Sequence, residues 1–452
     1  LKSLDISSKN PSHSPLIIAI IMMTVLFIDF YLSTIANIIV PFSESFYGLS
    51  IFLIMIIASI GASHYFLNKL FVIVKGNRNA FSKYKKIIRV IQLILYALGI
   101  ILLINILLQN KYYTINIISI VTISYSCSIV ASLLVSIKLF SWYRENKNIF
   151  SFLFGLTILF IFINNLISLP LFDLLLFEKP YEINHNTPVE FNFECTDAST
   201  YCDIKQNLLN YQSYTLMTYI LLFWISSIFL LHHHIKKLGK VKFIILVTLP
   251  IVIFYFQFIY QYNELYSLND ELKFDENVIY SIQVFILVLC YAGVGIFFGL
   301  GLRSVANLMK FSPNIENYLK MASYGIMLFI LAANSTIVAI GIPPYGIPSM
   351  IFLPFASILI YVGIYYSVIA ISNDVTVRKY IKNSTLNELK ILGKFAESQM
   401  IDNMKDKVLK MSKQYSDQLH KQSNTDTTET EEDLKNYLED AIKLFNTKNS
   451  KE

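Results

Sequence analysis

Asp29 is the main acidic residue deep inside an apolar run, and Phe30 and Tyr31 follow it. A carboxylate in hydrocarbon is costly, so it must face other protein and find a partner there. The chemistry open to it is proton or cation handling; the alternative is a hydrogen-bonded structural Asp. Asn164 and Asn165 sit side by side in a second apolar run, and Asn334, Ser335 and Thr336 in a third. Together with Asp29 they could line a polar site within the membrane. Such side chains also bond neighbouring helices to one another, which is the commoner use.

Other clusters have simpler readings. Gly293, Gly295, Gly299 and Gly301 crowd one apolar segment. With no strand or polar turn before them they are no nucleotide loop. They strip bulk from a helix face and let another backbone approach, so they are expected to be helix-packing residues. His232, His233 and His234 are consecutive. Neighbours on a helix point about 100° apart, so the three do not converge on one metal. No Walker loop, HExxH or GxSxG occurs. The sequence therefore calls for no catalytic residue, cofactor or metal, and an enzyme is not expected.

These residues must be held by membrane helices. The chain has 452 residues, 55% hydrophobic and only 15% charged, with a mean hydropathy of +0.53. Soluble domains carry about 25% charge. Spanning hydrocarbon takes about 20 apolar helical residues. Ten segments qualify: 16–40, 49–74, 87–109, 115–140, 149–176, 212–232, 243–262, 278–302, 321–342 and 349–372. The fold expected is all-α, a polytopic bundle over residues 1–372 with a C-terminal helical tail.

Orientation follows from Lys and Arg, which favour cytoplasmic connections. Connections 75–89, 138–147, 236–242 and 303–320 hold 16 of them. The opposite side has Lys111, Lys179, Lys205 and Lys273. Both termini are thus expected in the cytoplasm of a cell-membrane protein. The longest outer loop, about 177–211, contains Cys195 and Cys202, a disulfide pair suited to an oxidising exterior. Cys127 and Cys290 lie in apolar runs and read as buried small residues.

The tail reads as helix, linker, helix. Over 373–422, Leu389, Ala396, Met400, Met404, Val408, Met411 and Tyr415 recur mostly at multiples of three or four, one apolar stripe with coiled-coil character. Residues 423–430 are a polar linker, and 431–452 a short acidic amphipathic helix. The stripe is free to meet a cytoplasmic protein or a second copy. Nucleic acid is not an expected partner; membrane lipid is.

From about Asn307 to Leu419 the chain resembles a family of uncharacterised polytopic membrane proteins from ammonia-oxidising archaea. The residues that carry this are Pro343-Pro344-Tyr345-Gly346, Gly363-Ile364-Tyr365-Tyr366-Ser367, Ala370-Ile371-Ser372, Asp374, Arg378-Lys379, Lys382-Asn383-Ser384 and Glu388-Leu389-Lys390. The resemblance covers about a quarter of the chain. It implies a last membrane helix running directly into a cytoplasmic helix, and it brings no activity, substrate or catalytic residue. Two functions are therefore open. One is a membrane sensor or scaffold signalling through the tail. The other is a secondary transporter or channel using Asp29 and the intramembrane asparagines.

Overall fold

The computed structural model describes residues 46–73, 78–109, 111–147, 149–178, 180–184, 200–232, 239–262, 293–307, 313–341, 346–373 and 394–401. Single residues or short runs are added at 20, 23–26, 28–29, 403–404, 407–408 and 410–411. The helices in chain order are α1 (Phe46–Ile73), α2 (Arg78–Gln109), α3 (Thr114–Asn146), α4 (Ile149–Phe177), α5 (Thr200–His232), α6 (Lys240–Tyr262), α7 (293–307), α8 (Pro313–Gly341), α9 (Ile347–Asn373) and α10 (394–401). Residues 23–26 and 28–29 are helical as well. Two short strands, β1 (Lys111–Tyr113) and β2 (Glu182–Asn184), pair antiparallel with Tyr112 opposite Ile183. The chain divides into two compact units: 1–140 with 149–367, and 141–148 with 368–452.

Among the described residues, five helical stretches are long and apolar enough to cross a membrane: Lys86–Gln109, Thr114–Glu145, Ile149–Phe177, Cys202–Phe229 and Ile347–Ser372. Leu53–Tyr65 and Phe243–Val252 are shorter apolar stretches. The protein is built as a helical membrane protein. Ile87, Val90, Leu93, Ile94, Ile101 and Ile104 stand exposed along α2. Apolar surface of that extent on a helix belongs against lipid. Three helices carry internal prolines, Pro170, Pro250 and Pro354. Membrane helices tolerate these because neighbours re-satisfy the freed carbonyls.

The first unit is centred on α8 and α9. From Met321 to Ala332 every residue of α8 is buried, as is every residue of α9 from Ile347 to Ile360. Small residues set how closely the helices approach. A Cβ added at Gly363 would lie 2.5 Å from the Ala322 nitrogen and 2.7 Å from its Cβ. One at Gly325 would lie 2.9 Å from the Ile360 nitrogen. Helix α7 meets α8 the same way. A Cβ at Gly299 would run into the Met327 side chain and lie 2.9 Å from the Ser323 carbonyl oxygen. One at Gly295 would lie 3.1 Å from Ile330 Cβ. Gly301 is buried and Gly293 half-buried on the same helix.

Several helices run past the apolar segments read from sequence. Helix α5 begins at Thr200 rather than near 212, so residues 200–211 of the expected outer loop are helical. Thr200 and Asp203 have the spacing that caps a helix start, and polar residues ride its outer turns. Helix α3 continues to Asn146, so Lys138 and Arg144 sit on a helix rather than in a turn. It stops at Lys147, whose φ of 49° is left-handed and whose N–H donates to the Tyr143 carbonyl at 2.7 Å. That is a helix C-cap, usually made by Gly or Asn.

Candidate functional site

Asp29 is fully buried. Its two carboxylate oxygens each lie 3.2 Å from the backbone nitrogen of Gly346, and Ser349 also hydrogen-bonds to it. Gly346 has a φ of 87°, a left-handed conformation that glycine takes without strain. It immediately precedes α9. The first N–H groups of a helix have no partner within it, and the helix dipole makes that end positive. An acidic side chain satisfies both demands. Asp29 therefore caps the last apolar helix from a distant part of the chain.

The asparagines are likewise committed. Asn165 Nδ2 donates to Ser128 Oγ at 3.0 Å. Ser128 Oγ is 2.8 Å from Ser357 Oγ, and the Ser357 hydroxyl donates to the Leu353 carbonyl at 2.9 Å. A hydroxyl has one proton. With Ser357 donating to Leu353, Ser128 must donate to Ser357 and accept from Asn165. The chain of bonds runs one way and ties α4 to α3 and α3 to α9.

Asn164 closes a second loop, between α4 and α5. Its Nδ2 donates to the Gln212 carbonyl at 3.1 Å and to Thr215 Oγ1 at 3.0 Å. The Gln212 amide donates back to Ser168 Oγ at 2.9 Å, and the Ser168 hydroxyl donates to the Asn164 carbonyl at 2.8 Å. Interhelical bonds of this kind are worth roughly 0.6 kcal/mol each, up to about 1.7. Among the described residues two polar side chains differ: Ser124 Oγ is buried without a hydrogen-bond partner, and Gln92 Nε2 is buried with only a weak contact to the Tyr96 hydroxyl.

Where β1 and β2 pair, Thr114 adds to the clasp. Its N–H donates to the Tyr181 carbonyl at 3.1 Å and its hydroxyl to that of Pro180 at 2.5 Å. Lys111 and Glu182 form an exposed ion pair at 3.2 Å, worth about 1 kcal/mol at most. Lys205 is only 3% exposed and lies 2.9 Å from Glu178. A buried ammonium needs such a partner. Cys202 is disulfide-bonded, and its expected partner Cys195 lies outside the described residues. Cys127 is a free, half-buried thiol.

The second unit holds a contact that periodicity did not show. Trp142, 1% exposed at the end of α3, stacks on Phe395 of α10 with ring centroids 5.4 Å apart. Its indole N–H donates to Gln399 Oε1 at 3.1 Å, and its carbonyl accepts the Ser398 hydroxyl at 3.2 Å. Gln399 in turn donates to Asn403 Oδ1 at 3.1 Å. Phe395, Ala396, Ser398, Gln399 and Ile401 are all buried. Of the stripe read from sequence, Ala396 is buried and Met400 half-buried, while Met404, Val408 and Met411 are exposed. Leu389 and Tyr415 lie outside the described residues, as does the side chain of Asn334. The available signal for the clamp was one of only two tryptophans, set in a stretch rich in Lys and Arg.

Among the described residues no group of three His, Cys, Asp or Glu is placed to hold a metal ion. No family model matches the chain, and no curated protein or solved structure does either.

Proposed function

We propose that the protein is a non-enzymatic sensor or scaffold of the cell membrane, with ten membrane helices and both termini in the cytoplasm. A signal arriving outside or within the bilayer shifts the bundle. The last membrane helix passes that shift to the tail, and the tail docks a cytoplasmic protein or a second copy.

The observation that carries this reading is the clamp around Trp142. A tail serving only as a soluble appendage needs no stacked, buried tryptophan and no paired side-chain hydrogen bonds. Clamped at its start, it keeps Met404, Val408 and Met411 exposed for another surface. The topology has its own support. Strands β1 and β2 join two connections that the Lys and Arg count assigns to one face. A disulfide-bonded Cys202 close by suits an exterior location for that face. The resemblance to polytopic proteins of ammonia-oxidising archaea, with a last membrane helix leading into a cytoplasmic one, agrees with the same design.

A transporter or channel built on Asp29, Asn164 and Asn165 has less support, because each spends its polar atoms on helix contacts. The test is affinity capture from native membranes. The full chain is compared with a chain ending at Ser372 and with Trp142→Ala. A cytoplasmic signalling protein held by the full chain and lost from both variants is the expected result. Identical captures from all three would overturn the relay. Flux in liposomes that Asp29→Asn abolishes would favour the transporter instead.

A further inference from the structure

Between α1 and α2 lies a cavity of about 210 Å³. Its polar wall is His64, Asn68, Arg89, Gln92 and Tyr96. This wall is rich in donors and has no carboxylate. Arg89 brings a guanidinium, always charged and shaped to meet two oxygens at once. Gln92 is 2% exposed, and its buried Nε2 has only a weak contact with the Tyr96 hydroxyl and no hydrogen bond of full geometry. A buried amide in that state is costly, and a bound acceptor would remove the cost. Ser63 Oγ lies 2.5 Å from the Tyr96 hydroxyl, and Asn68 Nδ2 3.0 Å from His64 Nε2, so the wall is braced on both sides.

Depth and size narrow the ligand. The apolar span of α2 starts at Lys86. At a rise of 1.5 Å per residue, Arg89 and Gln92 lie about 5 and 9 Å into it. That is the boundary between headgroups and hydrocarbon. Ile87, Val90 and Ile94 are exposed beside them, as lipid-facing residues would be. The adjoining connection adds Lys75, Arg78, Lys83 and Lys85, a polybasic run of the kind anionic membrane surfaces attract. The volume falls below the roughly 300–1,000 Å³ of pockets for drug-sized ligands. It has room for a small anionic group and not for a nucleotide.

We propose that this cavity binds a phosphate group, carried by an anionic lipid or by a small soluble phosphate, with Arg89 pairing its charge and Gln92 donating to its oxygen. The site stands apart from the relay reading, since binding is measured without reference to the tail.

The test uses the purified full chain in phosphatidylcholine vesicles with and without phosphatidic acid. Retained lipid is measured by mass spectrometry and protein stability by thermal melting. Wild type is expected to retain phosphatidic acid and to melt higher with it. Arg89→Gln and Gln92→Leu each cut retention about tenfold. Lys86→Gln, outside the cavity wall, cuts it less than about twofold. Melting of the lipid-free variants shows that they are folded. Equal retention by wild type and both cavity variants would overturn the proposal, as would an equal loss in Lys86→Gln. Inorganic phosphate and glycerol 3-phosphate separate the sources. If either displaces the lipid and raises the melting temperature, the ligand is a soluble phosphate. If neither does while phosphatidic acid binds, it is a lipid headgroup.

Discussion

Helices α9 and α2 are both apolar enough to cross a membrane, yet they meet opposite surroundings. The crossing stretch of α9 is 94% buried inside the protein and that of α2 only 33%. Polar groups follow the same divide. At α9, Asp29 meets Gly346, and Ser357 ends a chain of bonds from Asn165. At α2, Gln92 is just as buried, and its amide nitrogen has only a weak contact with the Tyr96 hydroxyl. The difference teaches where structure ends and binding begins. Where helices meet on all sides the bundle satisfies most of its polar atoms, the fully buried Ser124 Oγ being an exception. Gln92 differs from Ser124 in lining a cavity near the lipid-facing surface, where the proposed ligand can reach it.

Substitutions at four positions would break or sharpen that contrast. The largest effect is expected at the centre. Gly363→Leu drives a side chain into the Ala322 backbone and should cost 3 kcal/mol or more, about the upper end for overpacking. Purified protein would melt far lower or elute as aggregate on gel filtration. Next, Asp29→Ala removes the cap from α9 and should cost about 1–2 kcal/mol. Asp29→Asn keeps an acceptor and should lose less than half of that by thermal melting. An equal loss from both would mean that charge, not capping, is what matters. Asn165→Leu should cost about 1 kcal/mol by cutting the α3–α4 bond. The smallest effect has the opposite sign: lipid-free Gln92→Leu should be about 1 kcal/mol more stable than wild type. A loss there would show that Gln92 serves the bundle and erase its contrast with α9.

Much of the fold was legible because hydrocarbon imposes a crude rule: long apolar runs become helices. That rule reads apolar length and is blind to polar helical turns. It therefore placed the start of α5 near 212, whereas Thr200 and Asp203 begin it three turns earlier in polar sequence. It was blind again to β1 and β2, three residues each, whose pairing depends on which connections come together. The candidate residues were legible as types and not as roles. An aspartate in an apolar run announces a partner, but the partner here is a glycine N–H more than 300 positions away. The tail shows the same limit. Periodicity marked one stripe, of which Ala396 is buried while Met404, Val408 and Met411 are exposed, but it passed over Phe395 and Ile401, which are buried. A helical wheel ranks faces by apolarity; it cannot see that a tryptophan at the end of another helix selects a different face.

That tryptophan has an optical consequence. The chain has two indoles, Trp142 and Trp224, and the second donates its N–H to the Val247 carbonyl at 2.7 Å. In a Trp224→Phe protein, Trp142 would be the sole emitter, shielded from water and stacked on Phe395. Its colour would then report the state of the tail without any label: blue while the ring is covered, red-shifted once α10 lets go. A single substitution thus gives the chain its own fluorescent gauge for the event on which a relay would depend.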